Sequence, residues 1–244
     1  MVRSLIFTAW LYLSMAIFAV GFSPALLMGH RQALWVARSW SRFILFGLKH
    51  VAGVRVVVRG LEHRPAGAAL VAAKHQGMLD VIAPFAFLDD PCFVMKKELM
   101  PLPFFGWFAW KLGMIPIDRS AGASALKKMV ATAQERLAQG RQIVIFPEGT
   151  RQVPGAEPDY KPGVAGIYRD LNGPCWPVAT NSGVHWPAHG FRRHPGTVVF
   201  EFLPPIPAGL KRGEFMKQLE ATVEAGSTAL LPSAAPPPSD RSAD

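Results

Sequence analysis

Cysteine is scarce: Cys92 and Cys175 are the only two in 244 residues, and both fall in apolar, strand-like contexts, CFVMK and CWPVAT. Two such residues build no disulfide framework, which favours a reducing, cytoplasmic setting for the globular part with both thiols as small buried hydrophobes. No Gly-x-Ser-x-Gly occurs anywhere in the chain, so the strained turn that presents a nucleophilic serine is not signalled. His185, His189 and His194 lie loosely around Trp186, Pro187 and Pro195 without a Cys or Glu partner at zinc-ligand spacing, and read as surface-loop histidines. There is no internal repeat. Charge is missing altogether from Ser4 to Met28.

That uncharged run is long enough to span a hydrocarbon core of roughly 30 Å, although Gly21 and Pro24 interrupt a straight helix near its end. Arg3, the apolar run and Ala19-Val20-Gly21 also fit a cleaved signal peptide loosely. Arg31, Arg38, Arg42 and Lys49 crowd just downstream, which favours a retained anchor and a cytoplasmic domain after it. In Leu34–Val51, two arginines four apart are mixed with Trp35, Trp40, Phe43 and Phe46, a pattern suited to a helix in the lipid headgroup region; a mostly buried core helix is the alternative. The net charge of +9 calls for an anionic partner. Many of the basic residues flank these apolar segments instead of joining exposed aromatics on the globular part, so the partner is membrane lipid and not nucleic acid.

After Gly53 the pattern becomes short β-branched runs alternating with helical ones. Val54–Val58, Ala69–Ala73, Phe93–Met95, Met114–Ile117, Ile143–Phe146, Trp176–Ala179 and Val198–Phe202 read as strands. Helices are expected at about Leu79–Leu88, Pro103–Leu112, Ala123–Ala138, Val164–Leu171 and Glu214–Ala225; in the third, Leu126, Met129, Val130, Ala133 and Leu137 recur at helical spacing. The expected fold is α/β: a single layered domain with a mixed, largely parallel sheet flanked by helices, preceded by an N-terminal helical membrane-anchoring segment. Residues 1–52 form that segment, 53–232 the α/β domain, and 233–244, rich in Pro, Ser and Asp, a disordered tail.

Four polar groupings close predicted strands, where α/β enzymes place their sites. The first is Lys74-His75-Gln76-Gly77-Met78-Leu79-Asp80. Residues five apart on one helix point about 140° from each other, so His75 belongs to the loop and Gln76-Gly77 turn the chain to bring Asp80 beneath it. A carboxylate bonded to one ring nitrogen fixes the tautomer and leaves the other as a base. The second, Gly113-Met114-Ile115-Pro116-Ile117-Asp118-Arg119, leads a strand out to Arg119 just before a helix. The third, Phe146-Pro147-Glu148-Gly149-Thr150-Arg151, follows the apolar strand IVIF and delivers a carboxylate, a hydroxyl and a guanidinium that binds phosphate bidentately. The fourth runs from Trp176 to Gly183 as WPVATNSG, and Lys161 stands just before a predicted helix, where its charge and free backbone N–H groups can face an anion. Taken singly, each is as readily an ordinary turn or a structural histidine.

In this order and spacing, HQGMLD, GMIPIDR, FPEGTR and WPVATNSG resemble the four blocks of the glycerolipid acyltransferases, bacterial 1-acyl-sn-glycerol-3-phosphate acyltransferases above all. The likeness covers about Ala69–Gly183 and includes MKKELMPLPFFGWFAWKLG between the first two blocks. It implies transfer of a fatty acyl group from acyl-CoA or acyl-acyl carrier protein to the sn-2 hydroxyl of 1-acylglycerol-3-phosphate, without a cofactor or metal. His75 is then the general base, oriented by Asp80; Arg119 and Arg151, with Lys161, hold the acceptor phosphate, and Glu148, Gly149 and Thr150 shape the acceptor site. The implied place is the cytoplasmic face of the inner membrane. Another lysolipid acceptor, such as lyso-ornithine lipid, fits the same blocks; a non-enzymatic lipid-binding descendant predicts a damaged His/Asp pair or FPEGTR, and neither is damaged. Gly77 and Leu79 stand where the family often has Ser and Trp, which bears on acceptor or acyl-chain preference. Pro103–Leu112 is aromatic enough to line an acyl-chain path or a membrane face.

Overall fold

The computed structural model describes residues 1–232, so the tail expected at 233–244 lies outside the described residues. Helices α1 (Val2–Gly21) and α2 (His30–Gly47) precede β1 (Val54–Arg59) and β2 (Ala69–Ala73). Two short helices follow, α3 (Leu79–Ile82) and α4 (Pro84–Phe87), then β3 (Pro91–Lys96), α5 (Phe105–Lys111), β4 (Ile115–Ile117), α6 (Gly122–Ala138) and β5 (Gln142–Ile145). The chain closes with α7 (Gly163–Leu171), β6 (Cys175–Thr180), α8 (Ser182–His185), β7 (Gly196–Phe202) and α9 (Arg212–Ala229). All seven expected strands are present. The helix expected over Leu79–Leu88 is two, because Pro84 has no N–H to continue the ladder.

The strands form one sheet in the order β1-β7-β6-β2-β5-β3-β4. From β6 to β4 every pairing is parallel; β7 runs antiparallel to β6, and β1 is parallel to β7. The sheet is thus mixed and largely parallel. Its central strands β2 and β5 are buried along their whole length, as parallel strands covered on both faces must be, which is why they read as unbroken apolar runs.

Two apolar clusters separate the faces. Val71, Ala73, Phe93, Val144 and Val178 share one with Phe7 and Leu11 of α1, Ile44 of α2 and Ala109 of α5. Leu70, Ala72, Cys92, Ile143 and Ile145 share the other with Met129 and Ala133 of α6, Ile167 of α7 and Leu219 and Val223 of α9. The N-terminal helices are therefore one of the two layers on the sheet. Cys92 and Cys175 are free and buried, and burial pushes the Cys92 thiol up to about 11 and Cys175 up as well, so neither is poised as a thiolate.

Helix α1 is patterned inside out. Its buried positions include Ser4 and Ser14, whereas Leu5, Ile6, Leu13, Ile17 and Val20 are each more than half exposed. Ser14 Oγ is satisfied within the protein, donating to Leu11 O and accepting from Trp40 Nε1. An apolar outer face over a partly polar inner one suits a surrounding of lipid, and α1 is the one described helix long and apolar enough to cross a membrane. It is the candidate for membrane association. In α2, Trp35, Arg42, Phe43 and Phe46 are exposed while Ala33, Leu34, Val36, Ser41 and Ile44 are buried, and Arg38 turns inward to donate to the carbonyls of Leu88 and Asp89.

Candidate active site

β2, β5 and β6 are adjacent and parallel, so Lys74-His75, Phe146–Arg151 and Asn181-Ser182 emerge together at one edge of the sheet. The alternation of side chains along a strand carries past the end of β2. Leu70 and Ala72 face α6, α7 and α9, and Lys74 continues that row by bonding Glu224 of α9. Val71 and Ala73 face α1–α5, and His75 continues theirs, stacking on Phe146 with ring centroids 4.0 Å apart at 14°.

His75 sits in the loop and Asp80 in the first turn of α3, with His75 Nδ1 3.1 Å from Asp80 Oδ2. The same oxygen accepts the backbone N–H groups of Gln76, at 2.6 Å, and Gly77, at 2.8 Å. The turn expected from the five-residue spacing is built around this carboxylate, which is 1% exposed. With Nδ1 donating to Asp80, Nε2 carries a free lone pair. Gln76 ties the loop to the next strand end by accepting Gly183 N–H through Oε1. The departure at Gly77 has a steric cause: a Cβ there would stand 2.6 Å from the carbonyl oxygen of Trp186. Leu79 is fully buried in the α1–α5 layer.

Gly149, at φ 68°, turns the chain in a region that favours glycine and separates Glu148 from Thr150 and Arg151. Glu148 is buried and points back into the protein: Oε2 accepts His75 N–H at 2.9 Å and Oε1 accepts Lys74 Nζ at 2.6 Å. Burial pushes its carboxyl above the usual range against the pull of Lys74 and the His75 N–H. Arg151 is exposed and Lys161 over half exposed, the latter paired with Asp159. Arg119 begins a short turn after β4, and its side chain lies outside the described residues. Asp118 beside it is held down to about 2, mainly by hydrogen bonds from Lys97 and Ser120.

His75, Glu148, Gly149, Thr150, Arg151 and Lys161 all line one cavity of about 950 Å³. Lys96 and His189 line it as well, and the rest of its walls are mostly apolar: Met15, Phe18 and Ala19 of α1, Val36, Ala37 and Trp40 of α2, and Phe104, Phe105, Phe108 and Leu112 around α5. In the aromatic segment Phe104, Phe105 and Phe108 line this cavity, while Trp107 and Trp110 are exposed to the outside. The arrangement brings an imidazole with an unengaged Nε2 and the cations Arg151 and Lys161 to one cavity large enough for hydrocarbon. His185 Nδ1 contacts His194 O, and no three His, Cys, Asp or Glu among the described residues are grouped to hold a metal ion.

Three residues clustered behind Glu148 were not singled out from the sequence. Lys74 stood beside His75 without a role; Glu224 and Tyr160 carried no local signal, because Glu224 meets Lys74 across 150 positions of chain.

A model of the family described as Acyltransferase matches residues 55–181. The chain is 32% identical over 228 residues to the 1-acyl-sn-glycerol-3-phosphate acyltransferase of Pseudomonas aeruginosa, covering 92% of this chain and 88% of that one. It is also 32% identical to the 1-acyl-sn-glycerol-3-phosphate acyltransferase alpha of Mus musculus, over 68% of this chain and 59% of the mouse protein. Among solved structures, the 1-acyl-sn-glycerophosphate acyltransferase of Thermotoga maritima shares the fold with a TM-score of 0.79 at 23% identity, covering 94% of this chain and 96% of that one.

Proposed function

Since the chain belongs to the acyltransferase family, we propose that it acylates the sn-2 hydroxyl of 1-acylglycerol-3-phosphate from acyl-CoA or acyl-acyl carrier protein, giving phosphatidic acid. The observation that carries the reading is the His75–Asp80 pair, 3.1 Å apart, opening onto a largely apolar cavity rimmed by Arg151 and Lys161. The names of the Pseudomonas and mouse relatives supply the acceptor.

In this mechanism Asp80 holds the Nδ1 proton and Nε2 of His75 takes the proton of the acceptor hydroxyl. The oxygen attacks the thioester carbonyl, the new ester C–O bond forms, the C–S bond breaks, and the imidazolium returns its proton to the departing thiolate. Asp80 stabilises the imidazolium in between. Arg151 and Lys161, with Arg119, neutralise the acceptor phosphate; Glu148, Gly149 and Thr150 set the shape of that subsite. The cavity wall supplied by α1, α2 and α5 takes hydrocarbon. Both donors are anionic and suit the basic surface equally, and the chemistry of the site asks for no cofactor.

The same reading places residues 1–52 as the membrane-associated part and 53–232 as the catalytic part, at the cytoplasmic face of the inner membrane. Residues 1–61 contain seven Lys and Arg and no Asp or Glu, a surface that suits anionic lipid. Helix α1 is held to the body at both ends: Arg3 donates to Val51 O and Ser4 Oγ accepts Arg193 N–H near its start, while Phe18 and Ala19 line the cavity near its end. Both acyl-bearing lipids then stay in the membrane, where burial of each CH₂ is worth about 0.8 kcal/mol, and only the headgroup is lifted into the site.

Acyl transfer by the purified protein, with each donor against a panel of lysolipids, tests the reading. His75→Ala is expected to bind lysophosphatidate but turn over about 10²–10⁴-fold more slowly. Near-normal turnover by that variant removes the assignment.

A further inference from the structure

Behind His75 lies a buried cluster of charges. Lys74 Nζ contacts Glu148 Oε1 at 2.6 Å and both oxygens of Glu224, at 2.7 and 2.9 Å. The Lys74 side chain is 1% exposed, that of Glu148 0% and that of Glu224 23%. Tyr160 donates its hydroxyl to Glu224 Oε1 at 2.9 Å. One ammonium thus stands between two carboxylates where water hardly reaches, and burying ions costs several kcal/mol each unless their partners are well placed. Packing alone does not call for such a group, because apolar side chains of the same volume fill such space at less cost. Its second contact is with the site: the Glu148 oxygen that Lys74 leaves free accepts the backbone N–H of His75. Two carboxylates therefore grip the histidine from two directions, Asp80 through the ring and Glu148 through the main chain.

We propose that Lys74 and Glu224 are positioning residues for His75: Lys74 keeps Glu148 ionised, ionised Glu148 fixes the His75 main chain, and Glu224 of α9 holds Lys74 in place. The proposal rests on the reading of His75 as the base. It also gives α9 a part in the reaction, although Glu224 lies beyond the residues 55–181 that match the family model.

The groups facing Glu148 are Lys74 and the His75 N–H, which favour its charge, and Glu224, which opposes it. Tyr160 bonds Glu224, and its hydroxyl is pushed far up by burial and by Glu224, Glu148 and Glu220, so it stays a donor. Glu148 is already raised by burial in the presence of Lys74. Without the ammonium it rises further, and a protonated Glu148 is the weaker acceptor for the His75 N–H. Activity needs both a neutral His75 and an ionised Glu148 and is lost as pH falls through the higher of the two transitions, so a rise in Glu148 moves that loss to higher pH once Glu148 governs it. Removing the Glu224 charge acts in the opposite sense.

The test is kcat and KM against pH for the full-length protein and its Lys74→Gln, Lys74→Arg and Glu224→Gln variants. Lys74→Gln is expected to lower kcat with little change in acceptor KM, and to move the acid limb up by about one pH unit or more, the scale of losing an opposite charge at this range. Lys74→Arg keeps the cation and is expected to restore most of kcat. Glu224→Gln retains acceptors for Lys74 and Tyr160 and is expected to lower the pH at which the Glu148 carboxyl titrates, followed by ¹³C NMR. A folded Lys74→Gln protein with an unshifted profile, or with its whole loss in KM, overturns the proposal; if that variant does not fold, a Glu148 titration that is unmoved or raised in Glu224→Gln does so. Turnover by His75→Ala separately decides whether His75 is the base.

Discussion

Replacing Asp80 with Asn is the cleanest perturbation of the site, since it removes a charge and keeps the shape. Asp80 Oδ2 accepts from His75 Nδ1 at 3.1 Å and from the N–H groups of Gln76 and Gly77. An amide oxygen in the same place still accepts from both backbone groups, so the turn between β2 and α3 persists. What disappears is the attraction between the carboxylate and the imidazolium formed in the transition state. At 3.1 Å and an effective dielectric of ~20, that attraction is about 5 kcal/mol. The asparagine dipole retains part of it, leaving roughly 3–4 kcal/mol, or about 10²–10³-fold in rate. The pair is almost fully buried, with side-chain exposures of 12% and 1%, so solvent screening does little to reduce the figure. The assay is initial-rate acyl transfer in mixed micelles under saturating donor and acceptor, beside thermal unfolding of each protein. The loss is expected in kcat, with acceptor KM within a few-fold of the parent. A folded Asp80→Asn protein that keeps more than about a fifth of the parent kcat would refute the claim that this charge serves the chemistry.

Arg151→Ala is expected to raise the KM for lysophosphatidate about tenfold or more, the loss of one charge-assisted pair to phosphate, and to matter less for an acceptor without phosphate; equal effects on both acceptors count against it. Gly77→Ser drives a Cβ to 2.6 Å from the Trp186 carbonyl oxygen, and is expected to cost about 1–3 kcal/mol, a Tm drop of roughly 2–4 °C per kcal/mol for a chain of this size. An unchanged Tm on thermal unfolding refutes that clash. Leu13→Lys with Ile17→Lys places charge on the outer face of α1, where both residues are more than half exposed; the protein is expected to fold yet shift toward the unbound fraction in vesicle flotation, and undiminished flotation counts against lipid contact by that face.

The strands were legible because β2 and β5 are buried on both faces and so carry continuous Ala, Leu, Val and Ile runs bounded by turn residues. The helix over Gly122–Ala138 was legible for the matching reason, as its buried Met129, Val130, Ala133 and Leu137 repeat at helical spacing. The turn returning Asp80 to His75 followed from helical geometry alone. The reversal of β7 and β1 left no trace in the local pattern, because a strand's side-chain period is the same in either direction. The inside-out burial of α1 was hidden as well: an apolar stretch states that one face avoids water without stating which face meets the sheet. Lys74 with Glu224 is the plainest case, a contact made by the fold between residues that no window of sequence holds together.

The close of β2 makes strand length part of the chemistry. Successive residues there go to opposite sides of the sheet, the ammonium of Lys74 toward α9 and the imidazole of His75 toward the cavity. Deleting or inserting a single residue within Ala69–Ala73 would exchange the two and aim a cation at the acceptor hydroxyl. Descendants of this chain can trade one apolar residue for another along β2 and can lengthen the loop before it, but the count of residues in the strand itself has no freedom to drift by one.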